Sequence, residues 1–524
     1  LHFTEVAPHE KPLLAPEKKK ELLSLLEARH PDWPQEKSLA LVETMDLWFL
    51  CKLPIERQIL ALEMFEKAQF QDQCQYEVQV EEEWETLNIS SVHIVLAWKN
   101  VPKHHFLYRL ARVIHRHRLV MHGATATYLN PYRIDSILML SFGIQGIQGE
   151  AAWEATDMAD FLQEISSLKY FGFQDAINEA FVHSGLIRGN LGNFLRTSLN
   201  FIHQVLVYVD PNLYSLSNIE EALCRHPELT LKLCEAFECR FHPKYQNQLQ
   251  FEILKEHFLE LVAQIDTGQE AHDLRRKEVL TQGMHFIAYT LKTNFYLPNK
   301  TALAFRLDPT YLNAAPFQRE TLFPELPYGI FFINGMHFIA FHIRFKDLSR
   351  GGLRTVYPKH KEQVLAERNT VFAECYNLAF TQHNKNKDIP EGGSKAIIFL
   401  EAYAYLHTES DILARELAAA AHAPEVIAEK TALFRSEQEL EYLYQTQRAF
   451  IQNLLSLINC TPEGTLHIAE IVDYWKRPEY LYLGPDENMH DSMIEWIAQE
   501  SLRVQYRPGG AFISGKPKRG INHK

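Results

Sequence analysis

Apolar and polar residues alternate along the chain in two different periods, and the changes of period divide it into regions. Residues 13–70 carry apolar positions at helical spacing between proline breaks, as in SLALVETMDLWFLCKLP. This pattern predicts an N-terminal helical region over residues 1–88. The stretch SSVHIVLAWKN that follows alternates like a strand, so the chain is expected to change there from helices to a sheet.

A small mixed module is predicted over residues 89–172. After the first strand, VPKHHFLYRLARVIHRHRLV places its apolar residues on one helical face and its arginines on another. The strands MHGATATYL and SILMLSFGI and the helix DMADFLQEISSLKY complete a β-α-β-β-α order, which is typical of a ferredoxin-like α+β unit. This order resembles that of ACT regulatory domains. The resemblance implies an ACT-like module that binds an amino-acid effector.

The second half of the chain is predicted to form an α/β domain. Residues 173–290 return to helical spacing and predict a helical linker region, and strands such as YGIFFIN and HFIAFHIRF then dominate. We assign residues 291–405 and 465–524 to this domain. An Ala-, Glu- and Leu-rich stretch over residues 406–464 is predicted to be a helical insertion. The predicted fold class is therefore α/β and α+β multidomain.

Three stretches that read as turns after predicted strands carry charged groups. They are SRGGLR over residues 349–354, PEGGSK over residues 390–395 and GPDEN over residues 484–488. Each stretch taken alone has a purely structural explanation. SRGGLR could be a hairpin tip, PEGGSK a turn with a surface lysine, and GPDEN a helix cap. Because loops at strand ends carry sites in α/β proteins, we expect Arg350, Lys395 and Asp486 to converge on one cleft. Two cations and an acid suit a carboxylate-bearing substrate that needs a proton transfer.

Five motifs occur in an order that resembles the large NAD-dependent glutamate dehydrogenases. They are KTNFYLPNKTALAFRLDP, PYGIFFINGMHFIAFHIRFKDLSRGGLR, TQHNKNKDIPEGGSKAIIF, YLGPDEN and FISGKPKRGI. The resemblance runs from about residue 292 to residue 524, without the helical insertion. It implies oxidative deamination of L-glutamate to 2-oxoglutarate and ammonia, with NAD as hydride acceptor, by an enzyme whose N-terminal half is regulatory. We also expect the protein to be a cytoplasmic homo-oligomer.

The resemblance also implies catalytic roles for two residues. Lys395 matches the catalytic lysine, which takes a proton from the water that attacks the substrate. Asp486 matches the acid that exchanges a proton with the substrate nitrogen. One position departs from the family, because Ala396 stands where the family usually has glycine.

Substrate binding is implied for a second group of residues. Arg350, at the Gly351–Gly352 pair, takes the place of the lysine that grips the side-chain carboxylate in the short glutamate dehydrogenases. Arginine can hold a carboxylate through two parallel hydrogen bonds, so Arg350 can fill this role in place of lysine. The α-carboxylate is assigned to Lys385, with His383 and Lys387 as alternatives.

The chain lacks a sequence signature for the cofactor itself. No G-x-G-x-x-G turn follows a predicted strand, and the glycines of GIQGIQG over residues 143–149 have the wrong spacing. We therefore expect NAD to be bound mainly by a domain absent from this chain. The first residue is Leu1 rather than methionine, which fits a trimmed chain or a fragment.

Composition narrows the remaining function classes. The net charge of -13 argues against a nucleic-acid partner, and the sequence has no apolar run of membrane-spanning length. Seven cysteines without a C-x-x-C pair fit a reducing cytoplasm and no zinc cage. The histidines at positions 104, 105, 115, 117 and 122 lack the spacing of a metal site, so we expect a solvated helix and no metal there.

Two other functions stay open on the sequence alone. The stretch GGSKAII also fits a dehydrogenase for an apolar amino acid such as leucine, but Arg350 favours a dicarboxylate. A non-catalytic amino-acid-sensing fragment is the other alternative. A pure sensor would need neither Lys395 nor Asp486.

Overall fold

The computed structural model describes residues 14–81, 91–103, 105–171, 175–385, 387 and 389–515. The chain divides into two compact units, Leu1–Lys169 with Thr408–Gln438, and Tyr170–His407 with Glu439–Lys524. Each unit contains helices and its own β-sheet, so the predicted mixed α/β architecture is confirmed. None of the helices in these ranges combines the length and the apolar composition that crossing a membrane requires.

The first unit contains a four-stranded sheet with helices before and after it. Its elements are α1 (Pro16–Arg29), α2 (Gln35–Thr44), α3 (Leu47–Cys51), α4 (Ile55–Phe70), β1 (Gln75–Glu81), β2 (Ser91–Lys99), α5 (Phe106–Arg116), β3 (Leu119–Leu129), β4 (Ile137–Gly146), α6 (Ala152–Ala155) and α7 (Met158–Ser167). The strand order is β1-β2-β4-β3, and all neighbouring strands are antiparallel. From β2 to α7 the elements follow a β-α-β-β-α order, with the short α6 as an additional turn. Apolar side chains of α1–α4 pack against β2 and β4 to form the core.

Strand β1 corrects the helical prediction for residues 1–88. The signal for it is present in the sequence, because Tyr76, Val78 and Val80 alternate with polar residues. The segment has only seven residues, which is too short to dominate a region of strongly helical pattern.

The predicted solvated histidine face is wrong for His117. Its Nδ1 lies 2.8 Å from Thr156 Oγ1 and its Nε2 lies 2.8 Å from Glu164 Oε2, and the side chain is 9% exposed. Burial alone would raise the pKa of Glu164, but His117 and Arg116 hold it below its usual value. His117 thus ties the end of α5 to α7. His104 lies outside the described residues.

The second unit contains a seven-stranded mixed sheet. After a π-helical turn, Asn178–Val182, its elements are α8 (Gly189–Leu206), α9 (Leu216–Arg225), α10 (Pro227–Phe241), α11 (Gln248–Ala263), α12 (Glu270–Tyr289), β5 (Thr290–Thr293), β6 (Ala302–Leu307), α13 (Tyr311–Ala314), α14 (Arg319–Leu322), β7 (Gly329–Gly335), β8 (Phe338–Arg344), β9 (Ser349–Val356), α15 (Lys361–Arg368), α16 (Val371–His383), β10 (Gly392–Leu400), β11 (Leu481–Pro485) and α19 (Asp491–Arg503). Helices α17 (Tyr403–Ala419) and α18 (Pro424–Ile458) come between β10 and β11 in the chain, and their residues 408–419 and 424–438 belong to the first unit. The strand order is β11-β9-β10-β8-β7-β6-β5. Strand β9 is parallel to β10 and β11, and the other neighbours are antiparallel.

Two of the three predicted turns are parts of strands. SRGGLR lies within β9, and Gly392 of PEGGSK begins β10. The glycines are needed for close backbone packing rather than for turning. A Cβ at Gly351 would lie 1.6 Å from the Ser394 carbonyl oxygen, and one at Gly393 would lie 2.0 Å from the His383 nitrogen. The sequence predicted turns at these positions because paired glycines are typical of turns. A local sequence pattern does not reveal that a strand approaches a neighbouring segment closely and needs glycine for that reason.

Candidate active site

The three parallel strands bring together residues that are distant in sequence. In β9, Leu353 is level with Ala396 of β10 and with Pro485 of β11. Lys395 and Asp486, each next to one of these partners, therefore lie on either side of the central strand.

Lys395 and Asp486 form an ion pair in which Lys395 Nζ donates a hydrogen bond to Asp486 Oδ2. The lysine side chain is 11% exposed and the aspartate side chain 41%, so solvent reaches the pair mainly from the side of the aspartate. A Cβ on Gly352 would lie 2.8 Å from Asp486 Oδ2 and 3.1 Å from Lys395 Nζ, so glycine leaves room for both groups. Partial burial would raise the pKa of Asp486, but the hydrogen bond and charge of Lys395 lower it.

The backbone around Asp486 fixes the position of its carboxylate. Its N–H donates to the Leu353 carbonyl at 3.1 Å, and its Oδ1 accepts from the Glu487 N–H at 2.9 Å. Asn488 adopts a left-handed conformation with φ 60° and donates through its side chain to the Thr355 carbonyl at 2.7 Å. The GPDEN stretch is thus an end-of-strand turn tied to β9. It does not cap α19, which begins at residue 491.

Arg350 lies two positions before Gly352 in β9, on the same face of the sheet. Its guanidinium is directed to an acid that the sequence analysis did not single out, with Nη2 3.4 Å from Glu391 Oε1. Lys387 Nζ lies 3.7 Å from the same carboxylate oxygen and donates to the Glu391 backbone carbonyl at 2.7 Å. One buried carboxylate therefore contacts two cations. The signal in the sequence is an acidic residue directly before the glycine pair.

The other two candidates for the α-carboxylate have different surroundings. Lys385 is exposed just past the end of α16. His383 is the last residue of that helix, and its Nδ1 accepts from the Gly393 N–H at 3.3 Å. The His383 ring stacks on Phe345 at 5.3 Å between ring centroids. The structure thus places His383 against the start of β10 and leaves Lys385 at the surface.

Ala396, which departs from the family pattern, points away from the Lys395–Asp486 ion pair. Its methyl group is fully buried in the apolar core with Leu353 and Ile398. It therefore adds core packing on the opposite face of the sheet from Lys395.

A buried charge cluster holds the segment that leads into β11. Glu479 accepts from Arg344 at 2.6 Å and from Arg306 at 3.3 Å, and it lies 3.0 Å from Lys292 Nζ. All four side chains are at most 1% exposed. Burial would raise the pKa of Glu479, but the three cations lower it to about 2. Because Glu479 lies two residues before β11, the cluster fixes the strand that leads to Asp486.

The chain is similar in sequence to several proteins that are named glutamate dehydrogenases. It is 31% identical over 332 residues to glutamate dehydrogenase 2 of Dictyostelium discoideum. The aligned region covers 62% of this chain and 27% of that protein. It is 32% identical over 317 residues to the NAD-specific glutamate dehydrogenase of Neurospora crassa, covering 58% of this chain and 26% of that protein. The NAD-specific glutamate dehydrogenase of Saccharomyces cerevisiae is 47% identical over 227 residues, covering 43% of this chain and 17% of that protein. No protein-family model matches the chain.

The predicted resemblance is confirmed: the chain is a relative of part of the large NAD-specific glutamate dehydrogenases. It spans about a quarter or less of the length of these relatives, with shares of 27%, 26% and 17%.

Proposed function

We propose that this chain provides the substrate site of a longer enzyme that deaminates L-glutamate oxidatively to 2-oxoglutarate and ammonia, with NAD as the hydride acceptor. The observation that carries this proposal is the Lys395–Asp486 ion pair beside Gly352, with a cation, Arg350, on the same face of the sheet. The names of the relatives support the same reaction.

The spacing of these groups suits a five-carbon dicarboxylate. Arg350 and Gly352 are two strand residues apart, which corresponds to roughly 6.6 Å along β9. The reacting carbon of glutamate and its side-chain carboxyl carbon are roughly 4 Å apart. The flexible arginine side chain can bridge the difference. A glutamate with its reacting carbon at Lys395 would therefore direct its far carboxylate to Arg350.

Each residue then has a chemical role. Lys395 takes a proton from the water that attacks the iminium carbon, and Asp486 exchanges a proton with the substrate nitrogen. Arg350, supported by Gly351 and Gly352, binds the side-chain carboxylate. Lys385 is retained for the α-carboxylate, with His383 as the alternative. Lys387 is less suited, since its Nζ already donates a hydrogen bond to the Glu391 backbone carbonyl at 2.7 Å.

The NAD site is assigned to a part of the longer protein that this sequence does not include. When bound, the nicotinamide supplies the hydride acceptor. The described residues do not fit a pyrophosphate cradle at their two Gly-Gly pairs, because backbone and side-chain atoms already fill the Cβ positions of Gly351, Gly352, Gly392 and Gly393. These glycines support packing of the substrate site.

The first unit is proposed to be regulatory. Its β-α-β-β-α order from β2 to α7 supports an ACT-like module that binds an amino-acid effector. We further propose that the protein is a homo-oligomer and that it is located in the cytoplasm, where seven cysteines without a C-x-x-C pair fit a reducing environment.

The direct test is an assay of the full-length protein for NAD reduction with L-glutamate, L-leucine and L-alanine. The proposal predicts turnover of glutamate well above that of the other two, and its loss in Lys395→Ala. Preference for leucine would instead favour the dehydrogenase for apolar amino acids. Absence of turnover with every amino acid, in a folded protein that binds NAD, would favour the sensor.

A further inference from the structure

Glu391 is a carboxylate of this chain that lies where a substrate carboxylate is expected. Its side chain is only 9% exposed, and its Oε1 faces both Arg350 Nη2 at 3.4 Å and Lys387 Nζ at 3.7 Å. Its other oxygen, Oε2, is buried and has no hydrogen-bond partner among the described residues. A buried carboxylate depends on nearby cations, since burial without them is costly.

The contacts of Glu391 are ionic but loose. Both distances exceed those of a charge-assisted hydrogen bond, which measures about 2.7–2.9 Å. The Arg350 side chain is 66% exposed, whereas that of Glu391 is nearly covered. An anion arriving from solvent therefore meets the guanidinium first. Arginine has five N–H donors, so it can turn to a second carboxylate without leaving its strand.

The side chains of Arg350, Lys387 and Glu391 together carry one net positive charge, which is available to a ligand. Arg350 and Lys387 supply two cations and Glu391 one anion, and the neighbouring Lys395–Asp486 pair is neutral. A single excess charge suits the one net negative charge of glutamate. Without the Glu391 charge, the excess would double and the site would attract dicarboxylates more strongly.

We propose that Glu391 is a built-in competitor for the side-chain carboxylate of the substrate, and so a specificity-determining residue. In the empty site it holds Arg350 and Lys387. A substrate carboxylate then displaces it from the guanidinium. The inference rests on the proposed function, because it requires that Arg350 binds the side-chain carboxylate of the substrate.

This role predicts an unusual direction of effect. Glu391→Gln keeps the shape and removes the charge, so it should bind a dicarboxylate more tightly than the wild type, by roughly two- to tenfold. Glu391→Asp keeps the charge and should stay close to the wild type. A residue that merely supports the fold would weaken binding when changed.

The test is calorimetric titration of the full-length protein with glutarate and with its diamide, glutaramide, which has the same carbon chain but no charge. The variants are Glu391→Gln, Glu391→Asp and Arg350→Leu. Glu439→Gln, which removes an acid paired with Lys359 on the surface, is the matched control. Thermal unfolding of each variant checks that it is folded.

The expected result is tighter binding of glutarate by Glu391→Gln, with binding of the uncharged glutaramide unchanged and the control like the wild type. Unchanged or weaker glutarate binding by Glu391→Gln, together with its loss in Arg350→Leu, would overturn the role of Glu391 and leave the proposed function standing. Failure of the wild type to bind glutarate, or binding that Arg350→Leu does not affect, would overturn the substrate assignment and this inference with it.

Discussion

Lys395 and Asp486 form an ion pair across strand β9, although 91 positions separate them in the sequence. The lysine comes from the start of β10 and the aspartate from the turn after β11. Between them, Gly352 has no side chain to block the approach of the two groups. A proton donor and acceptor in contact at a site that solvent reaches are the expected parts of an amino-acid deamination site.

Replacing the lysine tests its catalytic role. Lys395→Ala should lower kcat for glutamate by about 10²–10⁴-fold, as expected for loss of an acid–base group. The free energy of unfolding should change by less than about 1 kcal/mol, because the partner aspartate is 41% exposed and such pairs contribute little to stability. Steady-state kinetics and urea unfolding of the same preparation check both statements. Retention of wild-type kcat would remove Lys395 from the mechanism.

Two neighbouring glycines should respond differently to the same substitution. Gly352→Ala introduces a methyl 2.8 Å from Asp486 Oδ2, a side-chain atom that can move, so the variant should fold but lose activity. Gly351→Ala puts the methyl 1.6 Å from the Ser394 backbone oxygen, and overpacking of this kind costs about 1–3 kcal/mol or more.

The glycine comparison is measured by urea unfolding and kcat. Gly352→Ala is expected to have near-normal stability and low kcat, and Gly351→Ala is expected to have low stability. Equal destabilisation by the two variants would contradict this view of the site.

The order of strands and helices in the second unit was largely predictable from the sequence, because long segments have a clear period. The strands YGIFFIN and HFIAFHIRF appear as β7 and β8. The strand nature of SRGGLR was not predictable, since glycine breaks the local pattern and the reason for it is a contact with Ser394 in another strand. Glu391 was missed for a related reason: its proximity to Arg350 follows from the pairing of β9 and β10.

The buried cluster around Glu479 should control stability. Glu479→Gln leaves Lys292, Arg306 and Arg344 in the core without their shared carboxylate, so the free energy of unfolding should fall by about 3–5 kcal/mol. Urea unfolding at neutral pH measures this, with Glu439→Gln as the surface control. A loss no greater than that of the control would mean that the cluster does not stabilise the fold.

The same carboxylate predicts a pH dependence of stability. The pKa of Glu479 is about 2 in the folded chain against an ordinary value of 4.5. A lowered pKa stabilises the folded state above the ordinary value, and this contribution is lost as the pH falls from about 4.5 towards about 2. Wild-type stability should therefore drop across this interval, and Glu479→Gln should show a smaller drop. Parallel pH profiles of the two proteins would contradict the assignment.

The most direct test of the central claim is the substrate preference of Arg350→Leu in the full-length enzyme, compared with the wild type. The measurement is kcat/KM for glutamate and for leucine in both proteins. If Arg350 binds the side-chain carboxylate of glutamate, Arg350→Leu should weaken transition-state binding of glutamate by up to several kcal/mol, since that carboxylate is left without its partner. Leucine, which lacks the carboxylate, should lose little. Equal slowing of the two substrates would contradict the assignment of this site to glutamate.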